Sequence, residues 1–282
     1  MTLAKFNQDN AKLQAISGVS FMSLVSFAPP GLFKFCAPEH NIFNGCNTIR
    51  VGTLWGFRDE ENAHLRDEGE GTLDYKIRFP DLTPVSNEWI SEIGGDIARN
   101  VHIGQMQFSN GIFSIREASI AASYANCWVF CVSTTSDAAG NISCAHNSKW
   151  TIPGEKVTDF ATYIAQLLWE SVDLLDLPAT IRDTKSLQEI QRGLSLNAEM
   201  RPVTYRDRVI IATCEEDFPV SEVRALKESI PFIKPRSFES EREFRFLFHL
   251  SYQGKRISIE NRPKILKLRP IDSLAQEWKP RA

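Results

Sequence analysis

The chain has no C-x-x-C pair, no G-x-x-x-x-G-K-[ST] loop, no G-x-G-x-x-G fingerprint, no H-E-x-x-H and no G-x-S-x-G elbow. These absences argue against P-loop nucleotidases, dinucleotide-binding doubly wound folds, zinc peptidases and α/β-hydrolases. Its six cysteines are Cys36, Cys46, Cys127, Cys131, Cys144 and Cys214. Cys127 and Cys131 stand four apart without a matching His or Cys pair downstream, so no zinc site is expected and free thiols in a reducing compartment are. None of the five histidines is spaced as a ligand pair. Long apolar runs are also missing. The stretch from Ala15 to Phe33 is interrupted by Ser, Gly and Pro29-Pro30, which is too short and too polar to span a bilayer, and the N-terminus lacks a signal-peptide layout. A cytoplasmic protein with no membrane partner is expected. The net charge of -3 supplies no basic field for nucleic acid, so such a ligand would need a local basic patch. Arg58, Arg66, Lys234, Arg236, Arg242 and Arg245 are the candidates for one.

What is present is core-forming material. Of 282 residues, 43% are hydrophobic, and 18 Phe and 6 Trp argue against disorder. Residues 1–28 read as an N-terminal helical extension, with a helix around Ala11–Gln14, and residues 29–282 as a single domain. Strands are expected at Leu32–Phe35, Ile49–Phe57, Leu73–Phe79, Val101–Phe108, Gly111–Ile115, Trp128–Val132, Val203–Cys214 and Phe244–Tyr252. A short helix is expected between Glu39 and Asn47. Ser109-Asn110-Gly111 is a turn signal. Phe160, Ile164, Leu167, Leu168 and Val172 mark one face of a helix over Asp159–Leu175, and Val220–Ser229 reads as another. Strands are grouped with helices inserted, which predicts an α+β fold.

Three stretches carry candidate chemistry. The first is Phe238-Glu239-Ser240-Glu241-Arg242-Glu243-Phe244-Arg245. Read as one strand, side chains alternate, so Glu241, Glu243 and Arg245 share a face with the carboxylates about 7 Å apart, while Phe244, Phe246 and Phe248 enter the core. That arrangement is either a charged edge or a carboxylate pair on a rigid element, one orienting a substrate and one activating a nucleophile. The second is Ser133-Thr134-Thr135-Ser136, where a buried strand exits. The third is Lys34 in an apolar strand, which must snorkel or meet an anion. The charge-dense stretch from Arg58 to Gly71 reads as a loop or an exposed turn of helix in which little can be buried, either a solvated face or, since Arg58 leaves a strand directly, the lining of a cleft.

The order of these stretches resembles the ADP-ribosyltransferase superfamily, whose members carry a basic or His residue on an early strand, a Ser-Thr-Ser-like strand and a late E-x-E strand. Here the matches are Lys34 or Arg58, then Ser133-Thr134-Thr135, then Glu241-Arg242-Glu243. A second resemblance is to a bacterial family of unknown function with an L-[FY]-K-[FY] strand, V-x-Y, and K-x-x-x-W-x-x-E-x-E-[WY]-R. Here these are Leu32-Phe33-Lys34-Phe35, Val203-Thr204-Tyr205, and Lys234 with Phe238 to Arg245, Phe238 standing where that family has Trp. The resemblance implies an ADP-ribosyltransferase-like split β-sandwich and a glycosyltransferase that uses NAD+ as substrate to modify a macromolecule, either a nucleic-acid base or a protein side chain. A toxin or an antiviral defence effector, with an antitoxin or chaperone partner, fits that class. Glu243 and Glu241 would be catalytic, and Lys34, Arg58, Ser133, Thr134, Thr135 and Arg245 would bind NAD. Two other readings stay open: a metal-dependent nuclease or phosphodiesterase using Asp67, Glu70, Glu241 and Glu243, and a non-catalytic binding subunit of a defence complex.

Overall fold

The structure is a computed structural model and describes residues 19–21, 29–59, 66–93, 95, 98–137 and 146–279. The helix expected at Ala11–Gln14 lies outside them. The described strands, in chain order, are β1 Val19–Phe21, β2 Gly31–Cys36, β3 Thr48–Thr53, β4 Thr72–Val85, β5 Ala98–Ser109, β6 Ile112–Ser123, β7 Trp128–Ser133, β8 Ser148–Pro153, β9 Leu194–Pro202, β10 Thr204–Tyr205, β11 Val209–Ala212, β12 Ile233–Lys234, β13 Glu243–Tyr252, β14 Lys255–Arg256, β15 Lys264–Lys267 and β16 Gln276–Glu277. The helices are α1 Asn87–Ile93, α2 Val157–Ser171, α3 Ala179–Arg182, α4 Leu187–Gly193 and α5 Val220–Ser229. The fold is α+β with mostly antiparallel sheets. Contacts gather the chain into two compact units. Met1–Glu68, Asn126–Val203 and Glu239–Ala282 form the first, and Gly69–Ala125 with Thr204–Phe238 form the second.

The first unit is built on a sheet ordered β1-β9-β13-β7-β2-β8-β16. β13 lies between β9 and β7, antiparallel to both, and every one of its residues is buried. Phe244, Phe246 and Phe248 point to one face, as their alternation requires, and meet Phe130, Trp150 and Phe160 there. Phe160 belongs to α2, whose apolar side, with Ile164, Leu167 and Leu168, covers this face. Burying so many aromatic rings supplies much of the hydrophobic stabilisation of the unit.

The outer edge of β7 is shared. β2 pairs with it at Phe33↔Ser133, and β3 pairs with it at Gly52↔Val129 and Thr53↔Trp128. Cys131 lies between the two attachments. The sheet therefore splits along one side of β7.

In the second unit the sheet is ordered β11-β4-β6-β5. Leu73, Tyr75, Ile77 and Phe79 of β4 form its core with Ile120, and Trp89 of α1 and Val223 of α5 are fully buried. Asn110 and Gly111, at φ 52° and 79°, close the β5–β6 hairpin between the paired residues Ser109 and Ile112, the two-residue turn that the sequence signals.

Local differences from the sequence reading have identifiable causes. The expected strand Ile49–Phe57 stops at Thr53 and becomes a 3-10 turn over Trp55–Arg58, so Arg58 does not leave a strand directly. The short helix expected between Glu39 and Asn47 is two 3-10 turns, Pro38–His40 and Ile42–Asn44. The second is capped by the Asn41 side chain accepting from the Phe43 N–H at 2.9 Å. Residues 60–65 of the charge-dense stretch lie outside the described set, but Asp67 and Glu70 are buried. Glu70 accepts from the Gly71 N–H and faces the Arg208 guanidinium at 3.6 Å, so a charge read as solvated is compensated inside the second unit.

Candidate active site

β13 does not begin where its charge pattern suggests. Arg236–Glu241 is a 3-10 segment, and Arg242 takes a left-handed conformation, φ 47°, before the strand starts at Glu243. The left-handed residue breaks the alternation, so Glu241 does not extend the row of Glu243 and Arg245. Those two do share a face. Arg245 Nε donates to Glu243 Oε1 at 2.6 Å, and Nη2 approaches Oε2 at 3.5 Å. Both side chains are buried, so the carboxylate is oriented by a charge-assisted contact in a low-dielectric setting.

Ser133 ends β7 opposite Glu243. Its hydroxyl donates to the Glu241 carbonyl at 2.8 Å and accepts from the Thr135 N–H at 3.2 Å. The Thr134 N–H and hydroxyl both donate to the Arg242 carbonyl, at 2.8 and 3.1 Å. The hydroxyl run thus stitches the strand exit to the turn that carries Glu241. Thr135 is half-buried, and its hydroxyl accepts from the Asp137 N–H at 3.3 Å. Ser133 also faces Phe33 across β2, so Glu241–Glu243, Ser133–Thr135 and the strand holding Lys34 meet at one sheet end.

Lys34 itself is half-buried. Its ammonium donates to the Cys131 carbonyl at 2.8 Å, where the β7 edge splits, and lies 4.7 Å from the centre of the Phe130 ring. Burial lowers its pKa against the opposing pull of Cys131, Cys36 and Glu243. The open choice between snorkelling and meeting an anion resolves to a third option: the ammonium caps a backbone carbonyl left between two strands. Arg58 stacks on Trp55, 5.1 Å from its ring centre. Of the residues gathered for a basic patch, Arg245 and Lys234 are buried, and Lys234 lies over the Phe238 ring at 4.6 Å. Those two do not contribute surface charge.

Sequence reasoning missed several members of the buried polar face. The Cys131 thiol sits against Glu243. Burial first, then the charge of Glu243, hold it well above the ordinary thiol pKa, and the same carboxylate accepts its hydrogen bond. On β9, Arg201 stands opposite Arg245 and donates to Glu199 at 2.8 Å. Glu199 in turn lies 3.6 Å from His249 of β13. The alternation Leu194-Ser195-Leu196-Asn197-Ala198-Glu199-Met200-Arg201 is the signal that finds this strand, with its even positions in the core and its odd positions polar.

A second ionic cluster was not anticipated. Asp176, fully buried, meets Lys264 Nζ at 2.6 Å and Arg262 Nη1 at 3.3 Å, and Asp173 meets the same two cations at 3.4 and 2.8 Å. Asp173 and Asp176 also form the capping box of the 3-10 turn Leu174–Asp176, so the cluster pins that turn to the segment entering β15.

Among the described residues no group of three His, Cys, Asp or Glu is placed to hold a metal ion. One cavity, of about 10 Å³, is lined by Glu199, Met200, Phe246 and Thr158 among others, and another, of about 110 Å³, by Lys76, Arg78, His102 and Ser119 among others. Glu243 lines neither. No described helix is long and apolar enough to cross a membrane. Comparison with family models, with curated proteins and with solved structures found no match to this chain.

Proposed function

We propose that the chain is an ADP-ribosyltransferase that uses NAD+ to modify a macromolecule, with the split along β7 as the counterpart of that superfamily's split sheet. The observation that carries the reading is the convergence at Ser133. The three stretches of the resemblance, distant in sequence, meet there through the Phe33↔Ser133 and Glu243↔Ser133 pairings and the Ser133–Glu241 hydrogen bond.

In this reading Glu243 hydrogen-bonds a hydroxyl of the nicotinamide ribose and stabilises the positive charge that develops as the C–N glycosidic bond breaks and nicotinamide departs with the bonding electrons. The acceptor nucleophile forms the new bond to the same ribose carbon, and its proton passes to Glu241. Arg245 fixes the orientation of Glu243, Ser133 to Thr135 hold the rim, and Arg58 offers a cation to the pyrophosphate. Lys34 is engaged with the Cys131 carbonyl, so its part is to hold the split edge in shape.

The test is incubation with labelled NAD+ and cell lysate, followed by separate nuclease and protease digestion. Label should enter one acceptor class and be lost in Glu243→Gln, with the variant's melting curve confirming that it folds. No transfer under any condition, or undiminished transfer by folded Glu243→Gln, rejects the assignment.

A further inference from the structure

β5 is the outer strand of the second unit's sheet. Its inner edge pairs with β6, and its outer edge has no strand partner among the described residues. Every residue from Arg99 to Ser109 is exposed. Natural edge strands are usually short, charged or proline-bearing, because a bare edge recruits another strand. β5 runs for 12 residues, and no Lys, Arg, Asp, Glu or Pro occurs from Asn100 through Ile115. The opposite outer strand, β11, has four residues and is flanked by Asp207, Arg208, Glu215 and Glu216.

The register defines an apolar stripe on β5. Val101, Ile103, Met106 and Phe108 lie opposite Ile120, Ala118, Ile115 and Phe113. They continue the apolar face of the sheet, yet stand 52%, 45%, 39% and 61% exposed. Register shifts at Gly104–Gln105 separate two regular runs, Asn100–Ile103 and Met106–Ser109.

We propose that β5 pairs antiparallel with β5 of a second copy of this chain, about a two-fold axis between Gly104 and Gln105. The two runs are complementary under that operation. Ile103 faces Met106 of the other copy, Val101 faces Phe108, His102 faces Gln107 and Asn100 faces Ser109, so apolar meets apolar and polar meets polar. A two-fold axis perpendicular to the sheet keeps both apolar stripes on one face, and the uncharged stretch sets no like charges against each other. A different strand would have to match this pattern by chance; a second copy matches it by symmetry. A strand of this length presents an edge roughly 40 Å long on a sheet about 10 Å thick. The contact is on the order of 400 Å² per partner, which places the dimer in the weak, concentration-dependent class.

Sedimentation velocity of the full chain over a range from about 1 to about 300 μM tests this. The mass should rise from that of one 31.9 kDa chain towards twice that value, and exchange of the β5 amides should slow over the same range. Ile103→Lys and Met106→Glu, both at exposed positions, should each weaken association at least tenfold with an unchanged circular dichroism spectrum. The double variant Ile103→Lys/Met106→Glu sets opposite charges face to face across the axis and should restore it. A monomer throughout the range overturns the proposal, as does a dimer indifferent to Ile103→Lys or disrupted instead by Ile211→Lys on the other outer strand.

Discussion

Arg245 closes on Glu243 two residues earlier in the same strand, guanidinium Nε to carboxylate Oε1 at 2.6 Å, with both side chains removed from water. An ion pair in that setting is strongly asymmetric to mutation, because losing one member strands the other. Arg245→Met should destabilise the fold by roughly 3–5 kcal/mol. Glu243→Gln keeps an oxygen acceptor of nearly the same shape but leaves the guanidinium, which cannot give up its proton, without its counter-charge, and should cost a comparable amount. Urea unfolding of the two variants checks this, and a loss below about 1 kcal/mol in either would show that the pair is not what compensates the remaining charge.

The Asp173–Asp176 cluster predicts a cost far from the candidate site. Asp176→Ala removes the partner 2.6 Å from Lys264 Nζ and half of the capping box. The lysine is buried against Trp128 but keeps Asp173 at 3.4 Å, so the loss should fall short of the roughly 3–5 kcal/mol of a fully broken buried pair. Lys264→Met added to Asp176→Ala should recover part of it. Thermal melts of both single variants and the pair provide the cycle, and simple additivity would mean that the two groups do not act together.

At alkaline pH the cysteines set the sign. Burial pushes the Cys36 thiol from 9.0 up to about 11, and Cys131 is raised for the same first reason. Between those values the native state keeps the Cys36 proton that the unfolded chain has lost, so this contribution to stability is complete below pH 9.0 and is lost as pH rises towards about 11. Lys34 acts in the opposite sense. Its lowered pKa means that the native state loses its proton first, which favours the native state as pH rises towards 10.5. Chemical denaturation across this window should show a shallower decline in Cys36→Ala and a steeper one in Lys34→Met. Parallel curves for wild type and Cys36→Ala would remove Cys36 as a source of the decline.

Much of the sheet was legible. Trp128–Val132 is an apolar run too short for a helix, Phe244–Tyr252 sets Phe244, Phe246, Phe248, Leu250 and Tyr252 at a strand period, and Val220–Ser229 is a helix at the residues expected. The Asn110-Gly111 turn follows from local backbone preference alone. β9 escaped notice although its alternation is regular, because two of its polar positions are charged, and Glu199 and Arg201 meet each other along the strand with His249 of β13 beside Glu199. The burial of Glu70 was hidden as well: one-dimensional charge density does not reveal that Arg208 will face it. The position of Glu241 was lost to a single backbone angle, which no side-chain period encodes.

The left-handed turn at Arg242 changes what the spacing of the two glutamates means. In a straight strand, E-x-E describes two side chains side by side. Here it describes a corner, where Glu241 reaches Ser133 with its main-chain carbonyl and Glu243 faces it from the next strand. Two chains can therefore share these three letters and hold their carboxylates in unrelated geometries. The residue between them, where glycine or asparagine would turn easily and valine or isoleucine would resist, is the one that tells such chains apart.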